Sequence, residues 1–129
     1  MTLGDALDAA LAPGTVTVER EGVHAEVEVR DLDRLGVSIE RLVVRGVSPG
    51  LDRLSEALAP LDRFTVVEAD PRLGGVLRSP VRREEFYEAR TDGDNVSVEK
   101  QRIGESGRER VPFTLTREQL GRVVEGIGE

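Results

Sequence analysis

Between Thr15 and Arg30 apolar and polar residues alternate: Val16 and Val18 stand among threonines and glutamate, and Ala25, Val27 and Val29 alternate with His24, Glu26, Glu28 and Arg30. A period of two puts every second side chain on one face of a strand, so this stretch suits a half-buried antiparallel sheet and offers no helical stripe. Glu21-Gly22 supplies the turn between the two runs, which predicts a hairpin with one wet face. A third strand over 37–45 starts with Val37 and Ile39 on one face and continues with Leu42 and Val44 on the other, which predicts a bulge near Glu40-Arg41.

Helical spacing brackets these strands. Leu3, Leu7, Ala10 and Leu11 share one side of an opening helix, with Thr2 as N-cap, Asp5 three residues on and Pro13-Gly14 as the stop. Ser48 is expected to cap a second helix with Pro49 in its first position and Leu51, Leu54, Leu58 and Leu61 as the buried stripe. The apolar run Phe64 to Ala69 predicts a central strand covered on both faces, whereas Pro71 to Arg83, with Gly74-Gly75 and Pro80, predicts an irregular stretch with at most a short edge strand at Val76-Leu77. Alternation returns over 85–90, turns at Asp92-Gly93-Asp94-Asn95 and continues from Val96. The segment 99–110 is polar on both faces and is expected to leave the core as an arm. Its partner comes back through Val111, Phe113 and Leu115 to a last helix opened by Thr116 and Gln119, with Leu120, Val123, Val124 and Ile127 buried.

The element order is therefore α-β-β-β-α-β-(β)-β-β-β-α, the pattern of an α+β fold: a mainly antiparallel sheet with two to three helices packed on one face. At 129 residues this is one domain, 1–129. Leu54, Leu58, Val66, Phe113, Leu120 and Val124 are expected to share its core. Glu28-Val-Arg30 followed by Val37-Ser-Ile-Glu-Arg41 echoes Glu88-Ala-Arg90 followed by Val96-Ser-Val-Glu-Lys100, which leaves open an internal duplication with related halves 15–61 and 62–127. In element order alone, the chain resembles small acidic secretion chaperones, which are α-β-β-β-α-β-β-α dimers.

Composition narrows the chemistry. Without cysteine and with His24 as its only histidine, the chain has no disulfide, thiol nucleophile or multi-histidine metal centre to offer. The 25 acids outnumber the 18 Lys and Arg for a net charge of −7, which repels nucleic acid and anionic membrane. Only Phe64, Phe86, Tyr87 and Phe113 are aromatic, too few for a base-stacking platform. Lys100 is the single lysine, and the preference for arginine reads as the codon bias of a GC-rich, bacterial genome. No apolar run approaches the ~18 to 20 residues of a membrane span and no basic n-region precedes one, so the expected location is the cytoplasm.

Within an acidic chain, residues 71–83 carry Arg72, Arg78, Arg82 and Arg83 and no acid. Guanidinium forks beside glycines suit a carboxylate or phosphate, and with Tyr87 these arginines are the candidate ligand or partner site, set against a solvated loop paired to Glu84 and Glu85. Asp92 to Asn95 lacks the ligand spacing of a calcium loop and reads as a hairpin turn. Glu84, Glu85 and Glu88 read as a solvated strand face rather than an acid/base pair, and His24 as a surface residue. No serine sits in a Gly-x-Ser-x-Gly elbow. No catalytic residue, metal site or cofactor is nominated. The expected function is a non-catalytic protein-interaction module, adaptor or chaperone-like, acting as a homodimer with a protein partner. The alternatives are a small-ligand-binding protein or minor enzyme with an anion site at 71–83, and an acidic inhibitor or immunity protein.

Overall fold

The alternating segments join in one antiparallel sheet of nine strands, seen in a computed structural model that describes residues 1–70, 72 and 74–128. Helix α1 (Leu3–Ala10) precedes the meander β1 (Gly14–Arg20), β2 (Val23–Leu32) and β3 (Gly36–Arg45). Helix α2 (Leu51–Ala57) leads into a second meander of β4 (Thr65–Asp70), β5 (Gly74–Arg78), β6 (Glu85–Asp92) and β7 (Asn95–Gly104). Then come β8 (Gly107–Val111), β9 (Phe113–Thr116) and α3 (Arg117–Gly128). The strand order is β1-β2-β3-β7-β6-β5-β4, with β8 added to β7 and β9 added to β3.

The three helices cover one face. Ala25, Val27, Ile39, Leu42, Val44, Leu77, Ala89, Val96 and Val98 share a core with Leu7, Leu54, Leu58, Leu120, Val123, Val124 and Ile127. Helix α3 crosses both other helices at small residues. A Cβ at Gly4 would fall 2.7 Å from the Gly121 carbonyl oxygen, and one at Gly126 would fall 2.9 Å from the Ala57 Cβ, so glycine lets the axes approach. The expected caps form at both ends of the chain. Thr2 and Asp5 exchange a capping box, and Thr116 and Gln119 do the same, with Gln119 Oε1 accepting from the Thr116 amide at 2.8 Å.

The bulge expected near Glu40 is present and is matched by a second. Arg41 pairs with Glu28 and Ile39 with Val29, which leaves Glu40 unpaired; on the facing strand Arg30 is skipped as well. The two extra residues meet in an ion pair, Arg30 Nη1 to Glu40 Oε1 at 3.5 Å. This shift is what carries both Ile39 and Leu42 to the covered face.

Four expectations need correction. The run Phe64 to Ala69 is not central: Phe64 is buried ahead of the strand, while all of β4 is exposed at the sheet edge, Val66 at 45% and Val67 at 47%, with a register shift at Val67. Val66 therefore leaves the expected core, whose other five members are buried. The segment read as irregular holds β5, an interior strand between β4 and β6; Pro71 and Leu73 lie outside the described residues. Its glycines serve the packing, because a Cβ at Gly75 would meet the Glu68 carbonyl at 2.7 Å and Leu51 at 3.0 Å. Ser48 does not cap α2, which starts after Gly50 with no side-chain cap; the Ser48 hydroxyl donates to the Gly93 carbonyl at 2.8 Å and ties the helix approach to the β6–β7 turn. The return strand expected through Val111 to Leu115 is two strands, broken at Pro112, which has no N–H to give a ladder.

That break makes a fork. β3 and β7 pair from Leu42–Val98 to Arg45–Asn95, and beyond this seam β3 turns to β9 while β7 turns to β8. Among the described residues no ladder joins β8 to β9. The arm expected at 99–110 is thus the outer β7–β8 hairpin, exposed from Arg102 to Arg110 and tied back by the Ile103 amide donating to the Glu84 carbonyl at 2.8 Å. The two echoing sequence blocks fall on β2–β3 and β6–β7, on either side of the seam. Among the described residues no helix is long and apolar enough to cross a membrane.

Candidate functional site on the open sheet face

With the helices on one side, the other face of the sheet has no covering layer among the described residues. Alternation sends Glu26, Arg41, Val43, Arg45, Val76, Arg78, Phe86, Glu88, Arg90, Ser97 and Glu99 to it, and register then sets the neighbours: Arg78 opposite Glu88, Glu88 opposite Glu99, Arg90 opposite Ser97. Three apolar residues of this face, Val43, Val76 and Phe86, are each only 5% exposed. Long cationic side chains cover the last of these: the Arg78 and Arg108 guanidinium carbons lie 5.8 and 5.5 Å from the Phe86 ring centre.

Glu88 is the hub of this surface. Its carboxylate, 5% exposed, accepts from Arg78 Nε at 2.7 Å, Arg90 Nε at 2.8 Å and Arg108 Nη1 at 3.3 Å. Burial pushes this carboxyl up, but the hydrogen bonds and charges of Arg78 and Arg90 outweigh it and hold the group below the ordinary glutamate value. A carboxylate that accepts from three arginines is a counter-ion that ties β5, β6 and β8 together. Glu85 is held low by Lys100 and Arg102, at 3.2 and 3.1 Å. Arg110 reaches Glu99 at 3.4 Å.

Two open cavities lie on this face. One of about 270 Å³ is lined by Arg41, Arg45, Arg90, Val43, Asp92, Asn95 and Ser97. The other, about 640 Å³, runs to the β4 edge and carries Glu68, Asp70 and Asp92 beside Arg90. The face thus has a basic end toward β3 and an acidic end toward β4. Among the described residues no group of three His, Cys, Asp or Glu could hold a metal ion.

The residues singled out by the sequence scatter. Arg72 is exposed in the β4–β5 turn, bordering a helix-side cavity of about 510 Å³ with Leu51, Ala69 and Gly93. Arg78 joins the open face. Arg82 is exposed and gives a two-pronged pair to Asp62, at 2.9 and 3.1 Å, which holds the Asp62 carboxyl below its usual range. Arg83 sits with Glu84 in the tight turn closed by Arg82 and Glu85, both at positive φ (52° and 67°), a conformation that glycine or asparagine adopts with less strain. Tyr87 points to the helix face, packed between Phe64 and Phe113 with Lys100 5.2 Å from its ring, and burial pushes its hydroxyl pKa up. Tyr87 and Arg78 are therefore on opposite sides of the sheet. Sequence reasoning missed Arg41, Arg45, Arg90, Arg108 and Glu88 as one surface. Their shared parity on β3, β6 and β8 was readable, but the order that places β3 beside β7 was not. No protein-family model, curated protein or solved structure matches the chain.

Proposed function

We propose that the chain is a non-catalytic protein-interaction module that meets its partner through the open face of its sheet. The carrying observation is the asymmetry of the two faces: three helices cover one, while the other presents a polarised lattice of ion pairs over a thin apolar floor. The occupant this lattice fits is a protein surface of mixed charge, with acidic groups opposite Arg41, Arg45 and Arg90 and basic groups opposite Glu68 and Asp92. Charge matching of this kind selects and orients a partner more than it adds affinity. The module acts as a homodimer in this reading, with the exposed β7–β8 hairpin as the surface that reaches a second copy, and light scattering at high micromolar concentration would then return twice 14.1 kDa.

A photo-cross-linking amino acid placed at Ser97, in the middle of the face, tests the proposal in the native host. Specific adducts from Ser97 and none from Arg53 or Arg122 on the helix side support it. Adducts confined to the helix side overturn it. The small-ligand alternative rests on Arg72 beside the helix-side cavity, and is favoured instead if Arg72→Ala abolishes binding of a captured metabolite.

A further inference from the structure

Arg41 stands out among the arginines of the open face. Arg78, Arg90 and Arg108 share Glu88, Arg110 has Glu99, and Arg45 reaches Glu26 at 3.4 Å. Among the described residues the Arg41 side chain makes no hydrogen bond or ion pair, and its Nε is buried with no partner. A buried, unsatisfied N–H on a permanently charged group is costly, and such a group is normally met by an acceptor. Glu28 lies directly across from Arg41 in register yet forms no ion pair with it. The guanidinium instead lines the cavity of about 270 Å³, with Arg45 and Arg90 on the same rim, Ser97 and Asn95 beside them and Val43 below. Three cations face one acid there, Asp92, which accepts from the Asn95 amide at 3.3 Å.

We infer that this cavity is an oxyanion site, taking one carboxylate or phosphate group with Arg41 as its fork. The planar guanidinium offers its two Nη–H groups in parallel, a geometry that pairs bidentately with two oxygens of a carboxylate or phosphate. Arg45 and Arg90 keep their own acids and supply field; the Ser97 hydroxyl and the Asn95 amide are further donors on the rim. The protein carries net charge −7, and Arg45 and Arg90 are already paired with Glu26 and Glu88, so the uncompensated cation of the cavity is Arg41, which suits one charged group and not an extended polyanion. The oxyanion comes either from a free small molecule or from an acidic side chain of the partner proposed above. The inference deepens that reading.

The test needs no partner. Nitrogen-15 NMR of the arginine side chains follows the Arg41 Nε–H while inorganic phosphate, glutarate or a short glutamate-rich peptide is added to the intact chain. Expected is a saturable shift with a Kd of about 1 mM or tighter for at least one of the three, weakened at least tenfold by Arg41→Gln when binding is read in parent and variants from the backbone amides of Asn95 and Ser97 on the same rim. Arg41→Lys, which keeps the charge and loses the fork, should weaken it as well, and Glu28→Gln should strengthen it. Saturation by phosphate or glutarate identifies a free anion as a sufficient ligand, and saturation by the peptide alone identifies a partner side chain. An Arg41 Nε–H unmoved by all three, or equal binding by Arg41→Gln, overturns the site. Cross-links from Ser97 with an unmoved Arg41 would remove the site and leave the protein interface standing.

Discussion

On β6, Tyr87 and Ala89 look toward the helices while Phe86, Glu88 and Arg90 look away, and different forces hold the two sets. The covered face is held by non-directional burial: Leu7, Leu54, Leu58, Leu77 and Leu120 are at most 1% exposed, and any apolar side chain of the right volume serves there. The open face buries Val43, Val76, Phe86 and the Glu88 carboxylate, with arginines over the ring and around the carboxylate, so its order depends on direction, distance and charge state. One strand thus carries an apolar packing layer and a charged, hydrogen-bonded layer along the same stretch of chain, separated only by parity.

The comparison breaks first on the covered face. Leu58→Ala opens a cavity among α2, α3 and the sheet and should cost about 2 to 5 kcal/mol in urea unfolding; an unchanged midpoint would mean that α2 is not part of the core. On the open face, Glu88→Gln leaves Arg78, Arg90 and Arg108 converging without their counter-ion. Their side chains are 33 to 52% exposed and can turn to water, so the expected loss is about 1 to 3 kcal/mol, below that of a fully buried pair. A loss as large as that of Leu58→Ala would show that charge holds the fold as firmly as burial does.

Acid separates the two layers without mutation. The Glu88 and Glu85 carboxyls sit below their unfolded value of about 4.3, so their contribution is complete above that pH and is lost as pH falls through the lowered folded values. The unfolding midpoint should drop below about pH 4.3 in the parent chain and drop less steeply in Glu88→Gln. Equal slopes would assign the acid sensitivity to other carboxylates. The smallest effect belongs to β4, where Val66→Thr should shift stability by less than about 0.5 kcal/mol, since this side chain is 45% exposed. A loss above 1.5 kcal/mol would restore β4 to the core.

The local signals were legible wherever a short-range rule sufficed. Thr2 with Asp5 and Thr116 with Gln119 announce their caps, and the change of parity from Ile39 to Leu42 announces the bulge. What stayed hidden depends on partners far along the chain. An apolar run such as Phe64 to Ala69 has the same composition in the middle of a sheet and at its edge, and Gly74-Gly75 reads as a loop until Leu51 and Thr91 are seen packed against it. The candidate site was hidden for the same reason. Arginines near in sequence, such as Arg78 and Arg82, face different neighbours, while Arg78 and Arg108, thirty residues apart, flank one phenylalanine ring.

The fork at Leu42–Val98 sets where the molecule breathes. Among the described residues the only ladder of β8 is to β7, and Gly107 to Arg110 are exposed, so its backbone can part from β7 while the seam and the core stay closed. Amide protons of Arg108 and Arg110 should therefore exchange with solvent by local fraying at rates nearly independent of denaturant, whereas those of Val44 and Val96 on the seam should wait for global unfolding. Arg108 belongs to the fraying strand and also to the Glu88 cluster, so each opening of β8 lifts one of the three cations from that carboxylate and bares the Phe86 ring. The charged face is thereby coupled to an exposed outer strand of the sheet, and it can reshape itself at a cost far below that of unfolding the domain.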